Sequence, residues 1–433
     1  MSKRTDTIFA LSSGALPAGV AVVRISGPDA LAALERLTGK GMPRPRHAAL
    51  RRIFDRRGDL LDQALVLSFP APNSFTGEDC AELQLHGSRA VVDAVLSELA
   101  AIAGFRLAEA GEFSRRAFEN GRLDLVEAEG LAELIAAETE MQRRLAVEQS
   151  FGGQSKLYGD WARRLTYARA MIEAELDFAD EDDVPGSVGE KVASDIAALA
   201  GEIEDHIAAS KAGEIIRGGY KIAIVGPPNA GKSSLMNHLA QRDVAIVTDI
   251  AGTTRDILHV DLDMDGYLVR LFDTAGLRET SDAVEQEGIR RARQMMEEAD
   301  LVLALEEIGR QHPTSHSGSD VVRVGTKLDL HGPSRDYDLC LSVKTGEGIE
   351  ALRNVIVSRI RTIWSGAVVP TRQRQTDLLR LTSLSVRSAL KAREPELRAE
   401  HLRAAANSLG RITGHVDVEQ LLDVIFSQFC IGK

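Results

Sequence analysis

The sequence has few aromatic residues and few cysteines, and it contains no long apolar run. Phe, Trp and Tyr together make up 4% of the 433 residues. Apolar residues make up 44%, so the cores must be built mainly from Leu, Ala, Val and Ile. The cysteines are Cys80, Cys340 and Cys430. So sparse and odd a set fits a reducing cytosol better than a disulfide framework.

The absence of long apolar runs argues against two classes of protein, those that span a membrane and those with a secretory signal peptide. No uninterrupted apolar stretch approaches the ~18 residues that a membrane helix needs. The N-terminus also lacks the apolar core of a signal peptide. We therefore expect a soluble cytoplasmic protein without a membrane segment. The net charge of −12 argues against a nucleic-acid footprint over the whole surface, so any RNA contact would need a local basic patch.

The first part of the chain, residues 1–120, has the pattern of a compact α+β domain. Short apolar runs punctuated by Gly and Pro predict strands at Val20–Ile25, Ala64–Phe69 and Glu82–Leu85. Val91–Ala103 predicts a helix.

The rest of the chain predicts a helical domain interrupted by an α/β domain. Residues 121–216 are rich in Ala, Glu and Leu at helical spacing, and one helix is expected over about Val188 to Ala212. Residues 217–365 alternate strands and helices, which is typical of a parallel sheet. Residues 366–433 return to helix, from about Arg374 to Ser408. Helical sequence on both sides of the α/β block indicates an insertion.

A phosphate-binding loop opens the inserted domain. The strand Lys221–Val225 is followed by Gly226, four residues, and then Gly231, Lys232 and Ser233. This is the G-x-x-x-x-G-K-[ST] pattern in its strand–loop–helix context. Backbone N–H groups can curl around phosphate oxygens there, Lys232 can reach the β and γ phosphates, and the Ser233 hydroxyl can bind Mg²⁺.

A second motif follows a later strand. Asp273-Thr274-Ala275-Gly276 comes directly after the apolar run Leu268–Phe272. A strand-end Asp suits the Mg²⁺ shell, and the N–H of Gly276 suits the γ-phosphate.

A third motif indicates guanine. Thr326-Lys327-Leu328-Asp329 follows the strand Val321–Val324, and Ser342 and Lys344 complete the base pocket. The carboxylate of Asp329 can accept from both N1–H and the 2-amino group, a donor pair that adenine lacks. The motif series resembles that of Ras-like GTPases, where the base motif usually begins with Asn. With Thr326 in place of this Asn, a contact that supports nucleotide affinity is weakened. Asp329 still selects guanine.

The loop Ile246–Asp256, IVTDIAGTTRD, lies between the first two motifs. A hydroxyl from this loop must complete Mg²⁺ coordination, and Thr253 and Thr254 are the candidates. Two alternating strands are predicted around the turn Asp265-Gly266.

Water activation cannot follow the Ras-like scheme. The position that holds the water-orienting Gln there is Leu277, whose side chain cannot hydrogen-bond. Glu279, Asp282 and Glu285 follow closely. For two of these three acidic residues we expect no more than an exposed loop position.

Six segments together resemble one family. GPPNAGKSSLMNHLA, IVTDIAGTTRD and DTAGLRE are similar to TrmE-type GTPases, and SFTGED, GEFSRRAF and FCIGK make the match closer. The resemblance is to the MnmE family of tRNA-modification GTPases, and it covers the whole chain. Thr326 and a short segment between Leu305 and Asp320 depart from it.

The resemblance implies a fold and an activity. The fold is a multidomain α/β architecture with an N-terminal folate-binding and dimerisation domain, an all-α domain, and an inserted Ras-like P-loop domain. Such proteins form homodimers. With the FAD-containing partner MnmG, in a heterotetramer or larger complex, they add an aminomethyl-type group to C5 of the wobble uridine, position 34, of certain tRNAs. The one-carbon unit comes from 5-formyl- or methylene-tetrahydrofolate. GTP hydrolysis depends on K⁺ and on dimerisation of the G domains.

The resemblance also assigns residues at the nucleotide. Asn229, Thr248, Ile250 and Thr253 would hold K⁺, which takes the place of an arginine finger. Thr254 would join Ser233 on Mg²⁺, and Glu285 would orient the water. The full set expected to bind GTP is Asn229, Ala230, Gly231, Lys232, Ser233, Ser234, Thr248, Asp249, Ile250, Ala251, Gly252, Thr253, Thr254, Asp273, Thr274, Ala275, Gly276, Thr326, Lys327, Asp329, Ser342 and Lys344.

A folate site is implied in the N-terminal domain. Arg24, Glu82, Arg122 and Lys433 would form it, since a pterin offers donors to a carboxylate and the glutamate tail needs cations. Cys430 would lie near this site and is a candidate functional cysteine. From the residues alone, each of these charges is more simply a surface charge.

The sequence leaves three functions open. They are a tRNA-modifying GTPase, a ribosome-assembly GTPase, and a regulatory switch without a one-carbon donor. The SFTGED and FCIGK segments favour the first. Basic residues at Arg374, Arg380, Arg387 and Arg393 fit either a tRNA-binding stripe or an exposed amphipathic helix.

Overall fold

The structure is a computed structural model, and it describes residues 6–177, 187–246, 259–273, 297–309, 320–363, 366, 368–416, 422, 425–427, 429 and 432. The chain divides into two compact units. One consists of Met1–Ala132 with Gly410–Lys433, and the other of Glu133–Leu409.

The first unit contains a six-stranded mixed sheet. Its strands are β1 Thr7–Leu11, β2 Ala18–Ser26, β3 Ala49–Phe54, β4 Leu60–Phe69, β5 Cys80–Gly87 and β6 Phe105–Leu107. Their order across the sheet is β3-β4-β5-β2-β1-β6. Only the β1–β6 pair is parallel among these strands. The three strands predicted in this region lie within β2, β4 and β5.

Helices cover this sheet and extend beyond it. They are α1 Ala30–Thr38, α2 Arg89–Ala100, α3 Glu112–Glu119 and α4 Leu125–Ala136. The predicted helix Val91–Ala103 corresponds to α2, which begins earlier because the Ser88 side chain caps it by accepting from Val91 N–H. One face of the sheet is the main core, in which Phe9, Leu83 and Val95 are fully buried.

The second unit begins with helices. They are α5 Glu140–Ser150, α6 Gly153–Asp177, α7 Ser187–Ala208 and α8 Ser210–Gly218. The single helix predicted over Val188 to Ala212 is therefore wrong at its end. A turn at Ala209 separates α7 from α8, and α8 continues until Gly219, whose φ of +88° favours glycine.

A seven-stranded sheet follows. Its strands are β7 Tyr220–Val225, β8 Val244–Ile246, β9 His259–Met264, β10 Tyr267–Asp273, β11 Leu301–Glu307, β12 Val321–Thr326 and β13 Leu339–Cys340, in the order β13-β12-β11-β7-β10-β9-β8. β13, β12, β11, β7 and β10 are parallel, and β9 and β8 continue the sheet antiparallel. The predicted hairpin around Asp265-Gly266 is confirmed as β9–β10.

Helices pack against this sheet and follow it. They are α9 Lys232–Arg242, α10 Leu328–His331, α11 Ile349–Ile363, α12 Gln373–Lys391 and α13 Pro395–Thr413. Leu235 of α9 and Ile356 of α11 share a fully buried core with Ile224 and Leu303 of the sheet.

Helix was predicted from about Arg374 to Ser408, and the structure divides this range into two helices. Two helices, α12 and α13, occupy that range, and α13 begins at Pro395. Proline has no backbone N–H and disfavours helical geometry in the residue before it, so it starts a helix and cannot continue one.

The segments that lead into and out of the α/β block lie against each other. Arg217 Nε, near the end of α8, donates to Thr371 O at 3.0 Å. A Cβ added to Gly213 would lie 2.1 Å from Pro370 O, so the two backbones are in close contact. Gln149 of α5 donates to Thr371 Oγ1 at 2.7 Å, which fixes the outgoing segment to the helices.

The expected multidomain α/β fold is confirmed, with a mixed-sheet N-terminal part, helices, and an α/β block between helical segments. In the described part of the chain, no helix is both long enough and apolar enough to cross a bilayer.

Candidate functional site

The phosphate-binding loop lies at the edge of the sheet where its parallel strands end. Gly226 follows β7 directly and has a φ of +147°. A Cβ at this position would lie 2.2 Å from Leu305 O, so only glycine fits against β11. Crevices at the carboxyl ends of parallel strands are the usual ligand sites of such sheets.

Lys232 is placed inside this loop. Its side chain is 7% exposed, and Nζ donates to Gly226 O and Pro227 O, each at 2.9 Å. Gly231, with a φ of +93°, precedes α9, so the first N–H groups of the helix face the loop. The arrangement suits a bound phosphate, because a buried ammonium and a helix N-terminus both favour negative charge.

The other residues of the loop differ in their exposure to solvent. Asn229, Ser233 and Ser234 are exposed, whereas Ala230 is buried. Asn229 has a φ of +64°, a left-handed conformation that Asn tolerates better than most residues. Its side chain is therefore available to a ligand at this edge.

Asp329 and Ser342 meet at the same edge. Ser342 is fully buried, and its Oγ donates to Asp329 Oδ1 at 2.7 Å. This hydrogen bond is the main reason that the pKa of the Asp329 carboxyl lies below its ordinary value. The carboxylate is thus ionised and oriented, and it remains exposed to a ligand.

Thr326 and Lys327 connect this motif to β11. Thr326 is buried, and its Oγ1 donates to Glu306 O at 3.1 Å. Lys327 Nζ lies 2.8 Å from Glu307 Oε2. The other predicted base residue, Lys344, is exposed, and its charge helps to lower the pKa of Asp329.

Asp273 ends β10, and its backbone is in register with Ile224 of β7. The last residue of β10 therefore lies beside the strand that leads into the phosphate loop. The remaining residues of the predicted nucleotide site lie outside the described residues: Thr248, Asp249, Ile250, Ala251, Gly252, Thr253, Thr254, Thr274, Ala275, Gly276, Leu277, Glu279, Asp282 and Glu285.

The first unit brings together two of the predicted folate residues. Arg24 of β2 and Glu82 of β5 are in register, and Arg24 Nη2 lies 2.9 Å from Glu82 Oε1. The guanidinium also lies 5.1 Å from the ring centroid of Phe75 and 5.8 Å from that of Phe113. A ligand that uses Arg24 and Glu82 must share or replace their ion pair.

Arg122 lies beside Gly77 of the SFTGED loop, and Gly432 lies beside the residue that follows β1. Arg122 is exposed, and a Cβ added to Gly77 would lie 3.2 Å from its Cγ. Gly432 O accepts from Ser12 Oγ at 2.7 Å, which places the residue before Lys433 beside the end of β1. Lys433 and Cys430 themselves lie outside the described residues.

Sequence analysis missed a buried ion network behind this region. Arg116 is fully buried, and its guanidinium lies 3.0 Å from Glu78 Oε2, 3.0 Å from Glu112 Oε1 and 3.2 Å from Asp6 Oδ1. Glu78 also accepts from Ser26 Oγ at 2.8 Å. The network therefore fastens the SFTGED loop to α3 and β2. Its only sequence signal was that Glu78 and Arg116 belong to two of the segments that carried the resemblance.

The network lowers the pKa of Glu112 and raises the pKa of Arg116. Burial alone would raise the pKa of Glu112, but hydrogen bonds from Arg106, from the Glu109 N–H and from Arg116 lower it to about 2. Burial opposes the charge of Arg116, yet Glu78 and Glu112 raise its pKa. Both groups are charged near neutral pH, so the loop is held by paired charges.

Comparisons with known proteins agree across the whole chain. Residues 125–430 match the family model described as "MnmE helical domain", and residues 7–122 match "GTP-binding protein TrmE N-terminus". The chain is 60% identical over 437 residues to "tRNA modification GTPase MnmE" of Rhizobium meliloti (strain 1021), covering 99% of both chains. It is 58% identical to the protein of that name from Rhizobium johnstonii, covering 100% of both.

Among solved structures, the chain is similar to the G domain of the T. maritima FeoB iron transporter. The identity is 24% and the TM-score is 0.23, over 32% of this chain and 96% of that one.

Proposed function

Because this chain belongs to the MnmE family of tRNA modification GTPases, we propose that its GTP hydrolysis drives modification of C5 of the wobble uridine, position 34, in certain tRNAs. The chain is a GTP hydrolase of that family. The added group is of the aminomethyl type. The observation that carries the proposal is the hydrogen bond from Ser342 to Asp329, in a chain that matches its relatives over 99% of their length.

The nucleotide site is proposed to bind GTP with Mg²⁺ and K⁺. Lys232 supports phosphate binding and Asp329 supports guanine selection, by the contacts described above. Ser233 and Thr254 are proposed to hold Mg²⁺. Asn229, whose exposed side chain projects from the loop, supports a K⁺ site.

The rest of the hydrolytic machinery rests on residues outside the described part of the chain. Thr248, Ile250 and Thr253 are proposed to complete the K⁺ site, and Glu285 is proposed to orient the attacking water. The motif series and the family support these assignments. Hydrolysis is proposed to be gated by dimerisation of the G domains.

The N-terminal sheet is proposed to bind a reduced folate, 5-formyl- or methylene-tetrahydrofolate, as the one-carbon donor. Adjacent Arg24 and Glu82 support this, since one can bind a carboxylate tail and the other can accept from a pterin. Arg122 and Lys433 are the further proposed cations. Cys430 is a candidate beside them.

The function of each domain is also a proposal. Residues 1–120 would bind folate and dimerise, 121–216 and 366–433 would form the helical domain, and 217–365 would form the G domain. The partner is proposed to be MnmG with its FAD, acting with a homodimer of this chain on tRNA in the cytoplasm.

Nucleoside analysis of tRNA tests the proposal. A deletion strain is complemented with the wild-type gene, with Lys232→Ala, or with Arg24→Gln. The modified wobble uridine should be present only with the wild-type gene, because the two variants lose phosphate binding and one-carbon binding respectively. A matched control is Arg36→Gln, which changes an exposed arginine on α1 that contacts neither site.

The two alternative functions give different outcomes. A ribosome-assembly GTPase would leave tRNA modification unchanged in the deletion strain and cause ribosomal precursors to accumulate. A switch without a one-carbon donor would restore modification with Arg24→Gln as well as with the wild-type gene. Either outcome would overturn the corresponding part of the proposal.

A further inference from the structure

The end of strand β11 contacts the guanine motif at two points and the end of helix α10 at a third. Thr326 Oγ1 donates to Glu306 O at 3.1 Å. Lys327 Nζ lies 2.8 Å from Glu307 Oε2, and His331 Nε2 lies 3.1 Å from Glu307 Oε1. Both carboxylate oxygens of Glu307 are therefore directed at residues of the base motif and the short helix after it.

Lys327 combines a left-handed backbone with a side chain that is anchored on β11. Its φ is +61°, a left-handed conformation that is unfavourable for a non-glycine residue. The long Lys327 side chain has many rotamers, and restricting it to one of them costs conformational entropy. Glu307, whose side chain is only 13% exposed, provides a fixed anchor for the Lys327 ammonium, whose side chain is 34% exposed.

The base motif of this chain lacks the Asn side chain that Ras-like motifs have, and contacts with β11 hold its first residue. Thr326 stands where Ras-like base motifs usually have Asn, and its shorter side chain is used on the Glu306 carbonyl. The Ile308 N–H in turn donates to Thr326 O at 3.2 Å. The chain after β12 is thus fastened to β11 by backbone and side chain together.

We propose that Glu307 is a positioning residue for guanine nucleotide binding. It acts through Lys327 and does not touch the nucleotide. Its carboxylate holds the ammonium at β11, and the apolar stem of Lys327 is then left to lie along the purine face. Pairing with the Lys327 ammonium also offsets the negative charge of Glu307, which would otherwise repel nucleotide phosphates. This inference rests on the proposed guanine site.

The experiment measures the Kd of the full-length protein for GDP and for IDP. IDP lacks the 2-amino group that Asp329 is proposed to accept from. The variants are Glu307→Gln, which removes the charge at nearly constant size, and Glu307→Asp, which keeps it. The matched control is Asp338→Asn, which removes one charge from the exposed ion pair with Arg323 on the neighbouring strand β12.

Glu307→Gln should weaken GDP binding by roughly 3- to 10-fold, the range expected for one contacting charge pair that acts through another residue. IDP binding should weaken by the same factor, because the contact of Asp329 with the base is unchanged. Glu307→Asp should recover part of the loss, and Asp338→Asn should match the wild-type protein. Glu307→Gln should add nothing in a Lys327→Ala background.

Two results would overturn the inference. One is a Glu307→Gln protein that binds GDP like the Asp338→Asn control. The other is a loss of the same size in the presence and absence of Lys327, which would show that Glu307 acts by another route. If Glu307→Gln fails to fold, the comparison is made with Glu307→Asp, which should lie between wild type and Lys327→Ala. A wild-type protein that binds neither nucleotide would instead refute the guanine site itself.

Discussion

Replacing Asp329 by Asn keeps the size of the side chain and exchanges one carboxylate oxygen for an amide nitrogen that donates. The Ser342 hydroxyl donates to Asp329 Oδ1 at 2.7 Å, and the amide oxygen of Asn can accept the same bond. The new NH₂ group then occupies the position of Oδ2. There it faces the N1–H and 2-amino groups of guanine, which are also donors, so no hydrogen bond can form with them.

The size of the effect follows from the contacts that are lost. Two hydrogen bonds to a charged acceptor disappear, and each contributes roughly a tenfold to hundredfold factor in affinity. We expect Asp329→Asn to bind GDP about 10²- to 10⁴-fold more weakly than the wild type. Xanthine carries a carbonyl oxygen where guanine has its 2-amino group, so the variant should prefer XDP over GDP.

The assay is a direct titration of wild type and variant with GDP and XDP, followed by hydrolysis rates with GTP and XTP. Asp336→Asn is the matched control, because Asp336 Oδ2 accepts from Ser334 Oγ at 2.8 Å in an equivalent acid–hydroxyl pair nearby. If Asp329→Asn keeps its affinity for GDP within about threefold of the control, the assignment of Asp329 to the base is refuted.

Three further predictions concern other parts of the molecule. Gly226→Ala should lose GDP binding and roughly 2–4 kcal/mol of stability in urea unfolding, because its Cβ would lie 2.2 Å from Leu305 O; a stable, nucleotide-binding variant would contradict this. Glu112→Gln should be roughly 2 kcal/mol less stable at pH 7, allowing for solvent screening, since the native pKa of Glu112 is about 2 against 4.5 for the free group. That difference in stability should shrink as the pH falls from 4.5 towards 2. Urea unfolding at several pH values measures it, and a difference that stays constant with pH would show that the network does not stabilise the fold. GTP hydrolysis should be faster in K⁺ than in Na⁺, and Asn229→Ala should abolish the difference; equal rates for the wild type would exclude the K⁺ role.

The phosphate loop could be predicted because its constraints are local. Eight consecutive residues fix the backbone that phosphates need, and Gly226 and Gly231 have the positive φ values that the pattern requires. Asp329 and Ser342 were both predicted to belong to the base pocket because each follows a strand, but the hydrogen bond between them was not predicted. The break between α12 and α13 also had a local signal in Pro395, which the helical periodicity around it obscured.

The Arg116 network could not be predicted, because two of its three acidic partners, Glu78 and Asp6, are distant in sequence. Glu78 lies 38 residues from Arg116, and Asp6 lies 110 residues away. A charged residue on an amphipathic helix normally faces water, so nothing in the local pattern indicated a fully buried guanidinium. Glu307 was missed for a related reason. It follows an apolar strand and has no motif of its own, and only the pairing of β11 with β12 brings it to Lys327.

The contact between Arg217 and Thr371 has a consequence for the order in which the chain folds. As an unstructured loop, the roughly 150 residues between them would cost about 4 kcal/mol to close. Once the α/β block has folded, its two ends are already held within a hydrogen bond of each other, and that cost disappears. Helix α12, which leaves the ribosome after the block, then meets α7 as though the two were joined by a short turn. The folded nucleotide-binding block therefore acts as the loop that connects the helices before it to the helices after it.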